Sequence, residues 1–266
     1  MKITRLELLT AALGLAAILA PSNTHAQNVV FGAAQTITGD ANLIAAANTA
    51  GAIDVDAILP NGNLNNGSLS PGSSLTLDGV IFNAATFTST STSDGVISLT
   101  ANSGSFSQYG NNNGGYPVSG SASASFAAVM SAGGVYGSGP GVITISASAL
   151  TTGDTYALQI FNFSNDGANE STAFTSGSSS VTLFDNNGAG VNPASYLGQF
   201  TTGIFTATGA NETIDFANAS GPYTPVVGAI NLVNVTDVPE PSTYALTLGG
   251  MLLLALQLRP RRQPSV

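Results

Sequence analysis

Apolar and polar residues alternate with a period of two along much of this chain. Ile53–Ile58, Tyr156–Phe163, Val181–Phe184, Thr213–Phe216 and part of Val142–Ser146 follow that spacing, the signature of strands with one face buried. Gly198–Ala207 and Gly228–Leu232 add two more strand-like stretches. Between such runs stand Asp78-Gly79, Asp94-Gly95, Gly153-Asp154, Asp166-Gly167 and Asn187-Gly188, dipeptides suited to tight turns. No window keeps a 3.6-residue apolar period, and only Ala41–Ala50 offers room for a short helix. Strands separated by turns predict an all-β fold, a single β-sandwich. Thr86, Thr88, Thr90 and Thr92 would share one face of a strand. Such a row is either a flat water-ordering ladder, an ordinary exposed strand, or a Ser/Thr stretch without structure.

The two ends break the pattern. Lys2 and Arg5 precede an apolar run from Leu8 to Ala20, and small residues follow to Ala26. A basic start, a short apolar stretch and a small residue before the cut make a secretory signal peptide, with cleavage expected between Ala26 and Gln27. At the other end Val238-Pro239-Glu240-Pro241 leads into an apolar run from Tyr244 to Leu258, and Arg259, Arg261 and Arg262 close it. Two prolines in three residues exclude helix and strand, so this motif is expected to be extended and protease-accessible. The arginines would stay on the cytoplasmic side of a membrane and leave the preceding residues outside. Motif, apolar run and basic end, in that order, resemble the PEP-CTERM sorting tail of Gram-negative bacteria. The resemblance implies recognition by an exosortase-type enzyme, with Val238, Pro239, Glu240 and Pro241 as the sorting motif and a C-terminal transmembrane helix. The chain thus divides into a signal peptide (1–26), a β-sandwich body (27–236) and a sorting tail (237–266).

Charge sharpens the division. Charged residues are 7% of the 266, and all five Lys and Arg belong to the two ends. With His25 the sole histidine, residues 27–237 hold no Lys, Arg or His, and the whole chain holds no Cys. A body of this composition has no imidazole base, Schiff-base lysine or thiolate nucleophile. It has no His or Cys ligands for zinc or copper, and no cations to neutralise nucleic-acid phosphates. A carboxylate pair of the glycosidase kind, such as Asp54 and Asp56, is the catalytic option left on paper. The expectation is that the protein is not an enzyme. Without Cys the fold must rest on its apolar core, and its unpaired acidic residues favour cations or hydroxyl-rich ligands as partners.

Leu150, Thr151, Gly153 and Tyr156, set between two strand-like runs at 141–163, resemble a hairpin of jelly-roll domains in secreted bacterial proteins. Such domains often carry an Arg after the second strand, whereas Asn165-Asp166-Gly167 stands here. Two loops, 162–170 and 185–188, are dense in side-chain oxygens. Calcium uses such ligands, with Asp166 and Glu170 the candidates, although Asx-Gly runs also serve as plain turns. Tyr109, Tyr116, Tyr136 and Tyr223 lie beside Gly or Pro and are candidates for stacking on sugar rings, while Tyr156 reads as core. Two functions follow: a non-enzymatic cell-surface or extracellular-matrix protein, or a polysaccharide-binding module assisted by calcium.

Overall fold

The computed structural model describes residues 28–47, 49–60, 74–109, 123–164, 170–185, 198–219 and 224–236. The signal peptide with Ala26 and Gln27, and the tail with its Val238–Pro241 motif and arginines, lie outside these residues. Among the described residues, no helix is long and apolar enough to cross a membrane.

The strands among them form three sheets. The first is eight-stranded. Its order is β1 (Val30–Phe31), β15 (Gln199–Thr206), β12 (Thr155–Asn162), β18 (Ala229–Asn234), β3 (Ile53–Leu59), β5 (Val80–Ala84) and β4 (Leu75–Leu77), with β2 (Gln35–Thr36) also on β15. The second runs β14 (Ser179–Phe184), β13 (Ser171–Ser176), β16 (Glu212–Asn218), β11 (Gly141–Ile145), β8 (Ile97–Ala101), β7 (Ser91–Ser93) and β6 (Thr86–Phe87). A small third sheet joins β17 (Val226–Val227), β10 (Gly134–Gly137) and β9 (Phe106–Tyr109).

The two large sheets enclose the main core. From the first come Ile58, Tyr156, Leu158, Ile160, Phe205, Ile230 and Leu232. Ile97, Leu99, Ile143, Ile145, Phe174, Leu183, Ile214 and Phe216 of the second meet them. This is the sandwich that the alternating pattern predicts, with every second residue turned inward. At one side serine and glutamine side chains bridge the sheet edges. Ser176 and Ser179 hydroxyls accept the N–H groups of Val29 and Phe31, at 3.0 and 2.9 Å. Gln199 Oε1 accepts that of Phe184 at 2.9 Å. Backbone groups that would otherwise template another chain are thereby occupied.

The first sheet is also covered on its outer face, where Ala57, Leu59, Phe82, Phe161, Phe200 and Ala229 build a second core. The cover is α1 (Ser123–Ser131), which buries Phe126, Val129 and Met130, and the segment around Leu43 and Ala45. Gly133, at φ 75°, ends the helix as its N–H bonds Met130 O, a left-handed stop that glycine makes without strain. Residues 41–47 form no α-helix, contrary to the sequence expectation. Gln159 and Asn231, a cross-strand pair, are buried beneath them. Gln159 accepts from Ile44 N and donates to Asn42 O, both at 2.8 Å, and Asn231 donates to Ile44 O at 2.7 Å. These bonds occupy backbone groups that a helix would have paired internally.

Two further expectations change. The strands within 141–163 exist, but β11 belongs to the second sheet and β12 to the first. The connection between them therefore crosses from sheet to sheet and makes no hairpin. Leu150 packs on the main core, Gly153 takes φ 93°, and the Tyr156 ring stacks on Phe205 at 5.4 Å. The threonine row also dissolves. Phe87 pairs with Thr92 across a tight turn, in which Thr88 Oγ1 accepts Ser91 N at 2.9 Å. Thr92 is buried, its hydroxyl donating to Pro60 O at 2.7 Å. The turns at Asp78-Gly79 and Asp94-Gly95 stand as read. Asp78 and Gly79 both have positive φ, 50° and 87°, as a two-residue hairpin between β4 and β5 requires.

Candidate functional site

β9 and β10 pair with Tyr109 opposite Gly134 and Ser107 opposite Tyr136. The two tyrosines are thus diagonal neighbours on one face of the small sheet, with ring centroids 6.4 Å apart and planes at 44°. The absence of a side chain at Gly134 makes this possible. A Cβ there would come within 2.8 Å of the Tyr109 hydroxyl and 2.1 Å of Val227 O. The Tyr109 hydroxyl donates to Phe163 O, so its ring is fixed, whereas Tyr136 is 38% exposed.

Glu170 completes the site from the β13 side. It is buried, and Thr224 Oγ1 donates to its Oε1 at 3.2 Å. Its backbone is held by Asp185: Glu170 N donates to Asp185 Oδ1 at 3.1 Å and Asp185 N to Glu170 O at 3.2 Å. Ser164 N donates in turn to Asp185 O. Thr172 secures the small sheet to β13, its hydroxyl accepting Val226 N at 2.8 Å and donating to Val226 O at 3.1 Å. Between these parts opens a cavity of about 280 Å³ lined by Tyr109, Tyr136, Ser164, Glu170 and Thr224. It offers two aromatic surfaces, two hydroxyl-bearing side chains and a carboxylate in one place.

The structure therefore unites two sequence candidates for stacking, Tyr109 and Tyr136, with Glu170, one of the two calcium candidates. Asp166, Tyr116 and Tyr223 lie outside the described residues. Asp185, from the second oxygen-rich loop, supports the backbone of Glu170. Among the described residues no three His, Cys, Asp or Glu side chains gather as a metal site. Nothing local in the sequence distinguishes Ser164 and Thr224 from any other loop serine or threonine.

Asp54 and Asp56, the carboxylates that a glycosidase-type pair would need, both line a second cavity of about 280 Å³, beside Val80, Ile81 and Asn83. The β3–β18 register shifts between Leu232 and Val233, with Asp56 opposite Leu232 and Asp54 opposite Val233. Val55 is thus an extra residue in a bulge, and the two aspartates find different partners. Asp54 Oδ1 accepts Ala46 N at 2.8 Å. Asp56 Oδ1 accepts Asn83 Nδ2 at 3.2 Å, and its carboxyl meets that of Asp94. Burial first, then the Asp94 carboxyl, push Asp56 up to about 7.

No family model matches the chain, and no curated protein matches it. One solved structure, described as "Xyl-CBM35 in complex with glucuronic acid containing disaccharide", is similar over 51% of this chain and 94% of its own. The two share 15% identity with a TM-score of 0.27. A likeness at that level carries no argument, so the chain's architecture and its site rest on its own residues.

Proposed function

We propose that this is an exported, non-enzymatic protein of the cell surface or extracellular matrix whose jelly-roll-like body holds polysaccharide in the Tyr109–Tyr136 cleft. The observation that carries this reading is the tyrosine pair set diagonally over a cavity containing Glu170. Aromatic faces pack against the apolar faces of sugar rings, and hydroxyls and carboxylates accept or donate to sugar hydroxyls. The cavity volume suits a sugar unit or two of a longer chain, and the exposed Tyr136 leaves the polymer room to continue. Residues 27–237 contain no Lys, Arg or His, so nothing there balances a uronic acid, and neutral saccharides are the favoured class.

Sorting belongs to the same reading. The Val238–Pro241 motif, the apolar run and Arg259, Arg261 and Arg262 support recognition by an exosortase-type enzyme while the chain is tethered to the membrane.

A glycan array followed by calorimetry on the purified protein, with and without EDTA, tests the binding. Saturable binding of neutral glycans, lost in Tyr136→Ala and Glu170→Gln, is expected. Loss on chelation would add calcium to the site, in line with the Asp166 and Glu170 reading. Absence of any saccharide binding would leave a purely structural surface component. Replacing Pro239, Glu240 and Pro241 with alanine tests the tail, because full-length protein should then accumulate in the membrane fraction.

A further inference from the structure

Toward the side of the sandwich away from the serine bridges, β3 of the first sheet meets the β7–β8 turn of the second. Two contacts join them. One is the Thr92 hydroxyl donating to Pro60 O at 2.7 Å. The other is the contact between the Asp56 and Asp94 carboxyls. Asp94 commits one oxygen, Oδ1, to the N–H groups of Val96 and Ile97, both at 3.0 Å. Asp56 commits Oδ1 to Asn83 Nδ2. The remaining Oδ2 atom of each is buried and meets no other hydrogen-bond partner.

Asp56 and Asp94 are half-buried residues, but their Oδ2 atoms are buried, and two such oxygens cannot face one another fully ionised without repulsion when no cation shields them. The packed elements supply no relief. β5, β7, β8 and β18 carry no charged side chain, and nothing basic exists between residues 27 and 237. The other charged groups nearby are also acidic: Asp54 on β3 itself and Asp78 at the β4–β5 turn. One proton placed between the two Oδ2 atoms satisfies both orphaned oxygens and leaves a single negative charge. That charge is met by the N–H groups at Asp94 Oδ1 and by the Asn83 amide.

We infer that Asp56 and Asp94 share one proton, forming an acid–carboxylate clasp that fastens one sheet to the other and opens when the proton is lost. The chemistry is simple to balance: the closed pair holds one proton and one negative charge, and opening releases that proton to solvent and leaves two carboxylates. Burial first, and then the Asp94 carboxyl, raise Asp56 from 3.8 to about 7. A raised carboxyl group stabilises the fold fully below its unfolded value and loses that contribution as pH rises to the folded one. The clasp is therefore closed under mildly acid conditions and weakens across the range from about 4 to 7.

The test is denaturant unfolding of the purified protein from pH 4.5 to 8.5, for wild type, Asp56→Asn and Asp94→Asn. Wild type should unfold at lower denaturant as pH rises. Asp56→Asn carries a permanent donor toward Asp94, so it should exceed wild type at pH 8 and lose about one proton from the pH slope. Asp94→Asn should remove the same proton. An unchanged slope in both variants overturns the clasp. So does a wild-type protein stabilised at pH 8 by added Ca²⁺ and insensitive to acid, since a cation would then be the bridge. Should the variants fail to fold, carboxyl-carbon NMR titration of wild type decides: an Asp56 midpoint near 7 supports the shared proton, and one near 4 overturns it.

Discussion

The Tyr156 hydroxyl accepts the backbone N–H of Thr151 at 2.7 Å, while its ring lies buried against Phe205. One side chain thus anchors both the first sheet and the later part of the connection that reaches it from the second. Tyr156→Phe keeps the ring and deletes the acceptor. Leaving a part-buried N–H unpaired should cost about 1–3 kcal/mol, read as a lower denaturant midpoint with an unchanged slope.

Gln159 is the polar hub under the outer face of the first sheet. Its amide pairs with Asn231 at 3.1 Å and with backbone groups of Asn42 and Ile44. In Gln159→Leu two part-buried backbone groups lose partners, at about 1–3 kcal/mol each as an upper range. The segment around Leu43 should then exchange its amide hydrogens much faster, while β11 and β16 on the far sheet stay protected. Equal loss of protection everywhere would mean that the segment is not held locally.

Gly134 separates β17 from Tyr109. Gly134→Ala puts a methyl group 2.1 Å from Val227 O, so the small sheet must shift. Overpacking of this kind costs about 1–3 kcal/mol, or roughly 2–12 °C in melting temperature for a chain of this size. Saccharide binding should weaken along with it, because the shift moves Tyr109 away from Tyr136.

Glu212 is buried at the start of β16, and that burial raises it from 4.5 to about 7, against the lowering effect of the Thr213 N–H. The folded protein keeps this proton where the unfolded chain releases it. Its contribution is present below about pH 4.5 and drains away as pH climbs to about 7. Glu212→Gln should therefore lie close to wild type at pH 4.5 and be the more stable at pH 8. A variant less stable than wild type at both values would contradict the assignment.

Much of the sandwich was legible because period two reports which residues face the core. Ile143 and Ile145, Leu158 and Ile160, Ile214 and Phe216 all turned inward as the alternation requires. Alternation does not report partners, and so the two strands flanking Leu150 looked like a hairpin when each belongs to a different sheet. It also hides the Val55 bulge, which sends Asp54 and Asp56 to separate neighbours. Helix α1 leaves little trace in the sequence because its nine residues are mostly Ser and Ala. Its one signal was Phe126, Val129 and Met130 at helical spacing. The candidate site was readable only in fragments. Glycine neighbours marked Tyr109 and Tyr136, and loop oxygens marked Glu170, but their meeting depends on pairings between strands far apart in the chain.

The central place of β18 bears on how the chain acquires its fold. It lies between β12 and β3 and pairs with both, yet it is built from residues 229–234, after every other strand described. A chain emerging from its N-terminus cannot close the first sheet, or seal the main core, until almost the whole body is available. Sheets completed by such distant segments form slowly. The body should consequently remain extended and easily threaded until its final strand arrives, and collapse in one cooperative event afterwards.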